Sequence, residues 1–224
     1  MKKCMICATE IEPFISFGQM PIANGFLTKE NFNKEYFFEL AAGFCKKCSM
    51  VQLMEQPKRE KMFNENYAFY SSTSRLMALH FEEFAGDVKD KYLSGKNPFV
   101  VEIGSNDGIM LQHFAKDKIQ HLGVEPSANV GQAAREKGVN TITKFFDETL
   151  ADEIAGNYGK ADAILGANVM CHIPSLHSAA EGVKILLKNK GVLIFEDPYL
   201  GDILEKTSYD QIYDEHAFYF SVRS

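Results

Sequence analysis

"VVEIGSNDGIM", residues 100–110, passes from an apolar, β-branched run through a glycine-bounded turn into a segment of helical length. Its pattern is Glu102-x-Gly104-x-x-x-Gly108. A dinucleotide fingerprint wants a glycine where Asn106 stands, and a P-loop wants a Lys-Ser/Thr pair after its last glycine, which is absent. An acidic residue two positions before the first glycine suits a ligand carrying positive charge rather than phosphates. The ammonium and sulfonium of S-adenosylmethionine meet that requirement, so the turn predicts a crevice for that cofactor, with Glu102, Gly104, Asn106, Asp107 and Gly108 around it. By itself a strand–turn–helix of this kind is also compatible with plain architecture.

The neighbouring segments extend the pattern. "FVVEIG" (99–104), "HLGVEP" (121–126), "NTITKFF" (140–146), "ADAILGAN" (161–168) and "GVLIFEDP" (191–198) are short apolar or β-branched runs. Between them lie segments of helical length at about 107–117, 127–137, 147–157 and 175–188. Strands and helices alternating at this spacing imply βαβ units and a parallel sheet covered on both faces. The fold class is therefore α/β, a Rossmann-like parallel-sheet domain. Glu125 ends the second strand seventeen residues after Gly108, where a carboxylate accepts hydrogen bonds from both ribose hydroxyls. Asn168 ends the fourth strand on the same carboxyl edge. Phe145 or Phe146 could lie against the adenine ring, with core packing as the other reading of either; Phe146 is the one assigned to the cofactor.

Upstream the texture differs. Residues 1–66 are turn-rich, as in "FGQMPIANGFL" (17–27), and hold two CxxC pairs, Cys4/Cys7 and Cys45/Cys48. A CxxC turn points both sulfurs at one place, and two such turns supply four thiolates to a tetrahedral zinc ion. Neither pair sits in the βα unit that a thioredoxin-like redox centre needs. Four thiolates leave no open coordination position, so the zinc is expected to be structural. Cys171, the fifth cysteine, suits a buried or pocket-lining place. "SRLMALHFEEFAGDVKDKYL" (74–93) has helical spacing with Ser74 as its cap. The expected division is a small loop-rich zinc-binding domain at 1–66, a helical connector at 67–97 and the α/β domain at 98–224.

Composition narrows the partners. Residues 1–66 carry nine Lys/Arg and eight Asp/Glu, net +1; the remainder carries 15 and 22, net −7. Nucleic-acid binding normally needs a basic patch, and none of that size occurs, so no nucleic-acid partner is expected. No apolar run is long enough to cross a bilayer, and "MKKCMICATEIEPF" has no signal-peptide core, so no membrane partner and a cytoplasmic location are expected.

The paired CxxC motifs, "FGQMPIANGFL", "YAFYSSTS" (67–74), "VVEIGSNDGIM", "NVMCHIP" (168–174) and "QIYDEHAFYFS" (211–221) together resemble the nucleotide-sugar C-methyltransferases. The resemblance covers essentially the whole chain in the same motif order. It implies a Rossmann-like class I S-adenosylmethionine methyltransferase domain preceded by a small zinc-binding domain, with S-adenosylmethionine and structural zinc as cofactors. It also implies a nucleotide-sugar substrate that receives a branching methyl on a keto-deoxy-sugar, as in antibiotic and surface-polysaccharide sugar synthesis. The family's C-terminal domain, which helps hold the sugar nucleotide, has no counterpart before Ser224, so a fragment or a shortened relative is expected. A monomer or weak dimer is the expected assembly.

C-methylation beside a ketone needs a base to remove the alpha proton. "IYDEHAFYFS" concentrates suitable groups in Tyr213, Glu215 and His216. The resemblance implies His216 as the base, with Tyr213 as contender, and Glu215 could orient the imidazole. Asp214 stands where the family often has a histidine. The resemblance also places His172 in the active site, to polarise the ketone or bind sugar, and a tyrosine from "YAFYSS", assigned to Tyr70 over Tyr67. The competing enzyme reading is an RNA methyltransferase with a zinc module, which the acidic α/β segment disfavours. A non-catalytic chain that only binds S-adenosylmethionine is the reading outside enzymes.

Overall fold

The computed structural model describes residues 2–224 and divides them into two compact units. One contains the described residues up to Met62 together with Asn168–Leu176 and Asp197–Ser224; the other contains Phe63–Ala167 and His177–Glu196.

In the first unit a two-stranded antiparallel pair, β1 (Lys2–Lys3) and β2 (Glu10–Ile11), frames the first CxxC turn. Three antiparallel strands follow: β3 (Pro13–Pro21), β4 (Phe37–Phe44) and β5 (Val51–Leu53). The second CxxC turn lies between β4 and β5, and a single helical turn, α1 (Arg59–Met62), ends the segment.

The second unit begins its regular structure with α2 (Arg75–Tyr92). As its sequence predicts, the Ser74 side chain caps α2 by accepting from the Met77 N–H at 3.3 Å. The strands are β6 (Phe99–Ile103), β7 (Gln120–Val124), β8 (Thr141–Ile142), β9 (Ala161–Ala167) and β10 (Leu187–Glu196). The helices between them are α3 (Gln112–Lys116), α4 (Ala128–Glu136), α5 (Glu148–Tyr158) and α6 (Leu176–Leu186). The sheet is parallel throughout, in the order β10-β9-β6-β7-β8. The order reverses beside β6, and in such sheets the ligand crevice opens at the carboxyl ends of the strands at that point. α2 buries Phe81, Ala85 and Val88 in a core shared with Val100, Phe114, Ala163 and Leu165.

Two elements are shorter than the sequence pattern suggests. α3 starts at Gln112, because Asn106 and Gly108, at φ +47° and +76°, keep the preceding residues in a turn. β8 ends at Ile142, where the Thr143 hydroxyl is taken by the Arg135 guanidinium at 3.2 Å.

The closing segments complete the first unit. α7 (Leu200–Glu205) adds Ile203 to a core with Phe38, Leu40, Val51 and Leu53. β11 (Phe218–Tyr219) pairs antiparallel with β5, giving the sheet order β11-β5-β4-β3. The "QIYDEHAFYFS" motif therefore folds onto the N-terminal sheet, although it follows the parallel strands in the chain.

Candidate active site

The two CxxC turns share one geometry. Ala8 N–H donates to the Cys4 carbonyl at 2.9 Å and Ser49 N–H to the Cys45 carbonyl at 2.8 Å. Ala8 and Ser49 each adopt a left-handed φ, +58° and +62°. The turns face each other, with Sγ separations of 3.6 Å for Cys4–Cys48 and 3.5 Å for Cys7–Cys45, and all four sulfurs lie within 4.8 Å of one another. A tetrahedron with Zn–S bonds of ~2.3 Å has edges of about 3.8 Å, so the four sulfurs fit one zinc ion.

The predicted cofactor residues of the parallel-sheet unit converge on the turn after β6. Gly104 N–H donates to the Val124 carbonyl at 2.8 Å, and Gly104 takes φ +66°. Gly108 is needed for packing: a Cβ there would lie 2.9 Å from Val139 Cγ2. Glu102 is buried, and its Oε2 finds no hydrogen-bond donor among the described residues. Burial, then the nearby Glu125 and Asp107 carboxylates, push the Glu102 carboxyl well above the usual range. Ser105 Oγ and Asp107 Oδ1 are buried and unpartnered in the same turn. These orphaned polar atoms are what a bound ammonium or hydroxyl would satisfy, so the turn fits S-adenosylmethionine.

Several of these residues also have partners that the sequence did not reveal. Glu125 accepts from the Asn106 N–H at 2.9 Å and the Ser127 N–H at 2.7 Å, one on each oxygen, and each oxygen retains a second lone pair. Asn106 Oδ1 accepts from the Ser71 N–H at 3.0 Å, and its Nδ2 donates to the Phe69 carbonyl. Asp107 pairs with Lys137 Nζ at 3.0 Å and accepts from the Ser72 N–H. Asn106 and Asp107 thus fasten "FYSS" to the glycine turn. Tyr70 lies in that segment, and its hydroxyl accepts from Asn129 Nδ2 at 3.1 Å, while Tyr67 is buried. Phe146 is buried against Gly182, in the place of a packing residue.

The remaining candidates belong to the first unit, where His172, Tyr213, Glu215 and His216 come together. Asn168 belongs to this unit too, at φ +52° directly after β9. The His216 ring lies 4.4 Å from Tyr213 and 5.1 Å from His172, centroid to centroid. His216 Nδ1 sits 2.8 Å from the Gln211 carbonyl. A carbonyl only accepts, so Nδ1 carries the proton and Nε2 presents a lone pair. Burial pushes His216 down to about 4 and His172 down to about 3, so both imidazoles are neutral near pH 7. The 3.9 Å approach of His172 Nδ1 to Glu215 Oε2 is therefore not an ion pair. Burial, then Glu215, pushes the Tyr213 phenol upward, which favours its protonated form. Cys171, His172 and His216 also bring three metal-ligand atoms within 4.8 Å of one another, and burial, then Asp197, pushes the Cys171 thiol upward. A contact outside the predicted set closes the cluster: Asn24 Nδ2 donates to Glu215 Oε1 at 2.7 Å.

Residues 75–224 match a family profile described as "Methyltransferase domain". The chain belongs to that methyltransferase family. Residues 4–63 match a second profile, "Putative zinc binding domain", over the segment that holds the four cysteines. The chain is 30% identical over 224 residues to the C-methyltransferase NovU of Streptomyces niveus, covering 99% of this chain and 53% of that protein. It thus spans about half the length of that relative. Among solved structures it is similar to the plantazolicin methyltransferase BpumL in complex with a triazolic desmethylPZN analog and SAH, at TM-score 0.51 and 17% identity, over 66% of this chain and 60% of that one. A complex of BpumL with a pentazolic analog and SAH gives TM-score 0.50 at 17% identity, over 65% and 59%. These likenesses show the methyltransferase fold. No helix among the described residues is long and apolar enough to cross a membrane.

Proposed function

We propose that the chain is a S-adenosylmethionine-dependent C-methyltransferase acting on a nucleotide-linked keto-deoxy-sugar. The observation that carries this reading is His216: a buried, neutral imidazole with Nδ1 tied to the Gln211 carbonyl and Nε2 left as a base. Such a group accepts a proton from carbon only when that carbon is acidified, as it is alpha to a ketone. In the proposed reaction the alpha C–H bond breaks, its proton passes to His216 Nε2, and its electron pair moves toward the carbonyl oxygen. The Tyr213 hydroxyl, held protonated, donates to that oxygen as negative charge develops. His172 binds the sugar ketone, and Glu215 orients the neighbouring imidazole. S-adenosylmethionine, when bound, supplies the electrophilic methyl; Glu102, Glu125 and the Gly104–Gly108 turn hold it, with Asn106, Asp107 and Tyr70 fixing the segment beside it. Cys4, Cys7, Cys45 and Cys48 hold the zinc. NovU, named as a C-methyltransferase, supports carbon as the acceptor.

The test is methyl transfer to a dTDP-4-keto-deoxy-sugar, with solvent deuterium incorporation at the alpha carbon as a separate readout. His216→Ala should abolish incorporation, and Tyr213→Phe should slow it while leaving it measurable. SAM binding with no methylation of any such sugar would reject the reading.

A further inference from the structure

The motif "MPIANGF" supplies none of the proton-transfer groups, yet its turn reaches the cluster that holds them. Gly25 N–H donates to the Ile22 carbonyl at 3.1 Å, closing a tight turn over Ile22, Ala23, Asn24 and Gly25. A Cβ on Gly25 would lie 3.3 Å from both the Ile22 Cβ and its carbonyl oxygen, so a side chain there would require the turn to give by a few tenths of an ångström. The turn offers two adjacent donors to two adjacent acids 191 residues away. Ala23 N–H donates to Asp214 Oδ1 at 3.1 Å, and Asn24 Nδ2 donates to Glu215 Oε1 at 2.7 Å. Both acids are buried, at 2% exposure each.

From this geometry we infer that Asn24 is a positioning residue for the proton-transfer step, acting through Glu215. The inference rests on the functional reading above. A carboxylate that receives one directed donor on Oε1 is fixed in rotation about its Cγ–Cδ bond. Its Oε2 is thereby turned to His172 Nδ1, 3.9 Å away. Ala23 holds the neighbouring Asp214 in the same way, so the Tyr213–His216 turn is gripped at two successive side chains rather than at one. Asn24 suits this task because an uncharged amide donates without bringing a second charge into a buried cluster that already holds Asp214 and Glu215. An aspartate there would set a third carboxylate against Glu215, and an alanine would leave Oε1 without this donor.

The experiment uses the full chain with Asn24→Ala and Asn24→Gln. Asn24→Ala should lower kcat and the rate of alpha-carbon deuterium incorporation by about 10- to 100-fold, the worth of one bond from an amide to a charged acceptor. KM for SAM, zinc content and melting temperature should stay as in the wild type. Asn24→Gln, which keeps the amide, should recover part of the rate. A rate equal to wild type in Asn24→Ala overturns the inference, as does a loss of rate that merely follows loss of zinc or of melting temperature. A second measurement needs no substrate: the 15N-resolved side-chain amide signals of Asn24 should move in Glu215→Gln. If they do not move, the coupling is overturned whatever the enzyme does. If the wild type neither exchanges nor methylates any nucleotide keto-sugar, the functional reading fails, while the amide signals still decide the coupling.

Discussion

A buried neutral base has a measurable cost in acid. An unfolded imidazole titrates near 6.5, whereas burial pushes His216 in the folded chain down to about 4. A lowered folded value means that the unfolded state binds the extra proton, so stability falls as pH drops through 6.5 and stops falling near 4. Between pH 7 and pH 5 the difference amounts to about 2 kcal/mol from His216 alone. His172, pushed down to about 3 chiefly by burial and then by His216, should add a similar amount, not independently because the two rings are neighbours. Buried acids work in the opposite direction: Asp214 is pushed upward by burial and so favours the folded state as pH falls. The absolute slope therefore mixes signs, and the informative quantity is a difference between variants. His216→Asn keeps a donor for the Gln211 carbonyl and removes the titration. Urea unfolding at a series of pH values should show the variant losing about 2 kcal/mol less than wild type between pH 7 and pH 5. Equal losses would mean that His216 titrates as if in water, and the account of it as a dry base would be refuted.

Other perturbations have defined outcomes. Glu102→Gln removes the buried carboxyl whose Oε2 has no donor among the described residues, and calorimetric affinity for S-adenosylhomocysteine should fall about tenfold. Gly108→Ala should cost about 2–4 kcal/mol, since a Cβ at φ +76° is strained and would press on Val139 and Ala134; denaturant unfolding measures it. Asp107→Asn removes the carboxylate partner of Lys137 and should destabilise by about 2–3 kcal/mol, with faster amide exchange at Ser72.

Legibility in the sequence followed the range of the interactions. The parallel sheet was legible because each strand, turn and helix carries its own local pattern, from Phe99 to Glu196. The zinc turns were legible because CxxC spacing is itself the geometry of two ligands. The roles of Asn106 and Asp107 were only half legible. Their positions in the turn follow from local glycine spacing, but their partners Ser71 and Ser72 lie 35 residues away and leave no trace in the motif. Phe146 illustrates the same limit. An aromatic ring at a strand end suits an adenine wall or a core equally well, and only the closeness of Gly182 on α6 reveals the second. The hardest feature was β11, two residues whose pairing with β5 crosses the entire parallel sheet in sequence.

That pairing gives the zinc a consequence for His216. Cys48 packs with Met5 and Ile6 against Met50, Ala217 and Phe218, directly after the proposed base. The Met5 N–H donates to the Gln52 side chain at 3.0 Å, and the Leu53 N–H donates to the Ala217 carbonyl at 3.0 Å. The first CxxC turn, β5 and β11 are thus one hydrogen-bonded and apolar block. Without the ion, four sulfurs within 4.8 Å of one another lose their common centre, and burial pushes the Cys48 thiol up to about 12. Chelation of zinc, or Cys4→Ser, should therefore remove one zinc per chain by elemental analysis and loosen the strand that positions His216. Methyl transfer and the His216 ring signals should change together. The glycine turn is built from its own contacts with Val124, Ser71 and Lys137, so S-adenosylhomocysteine binding should survive. Loss of cofactor binding in step with zinc would refute this division of labour, as would full methyl transfer by the zinc-free chain.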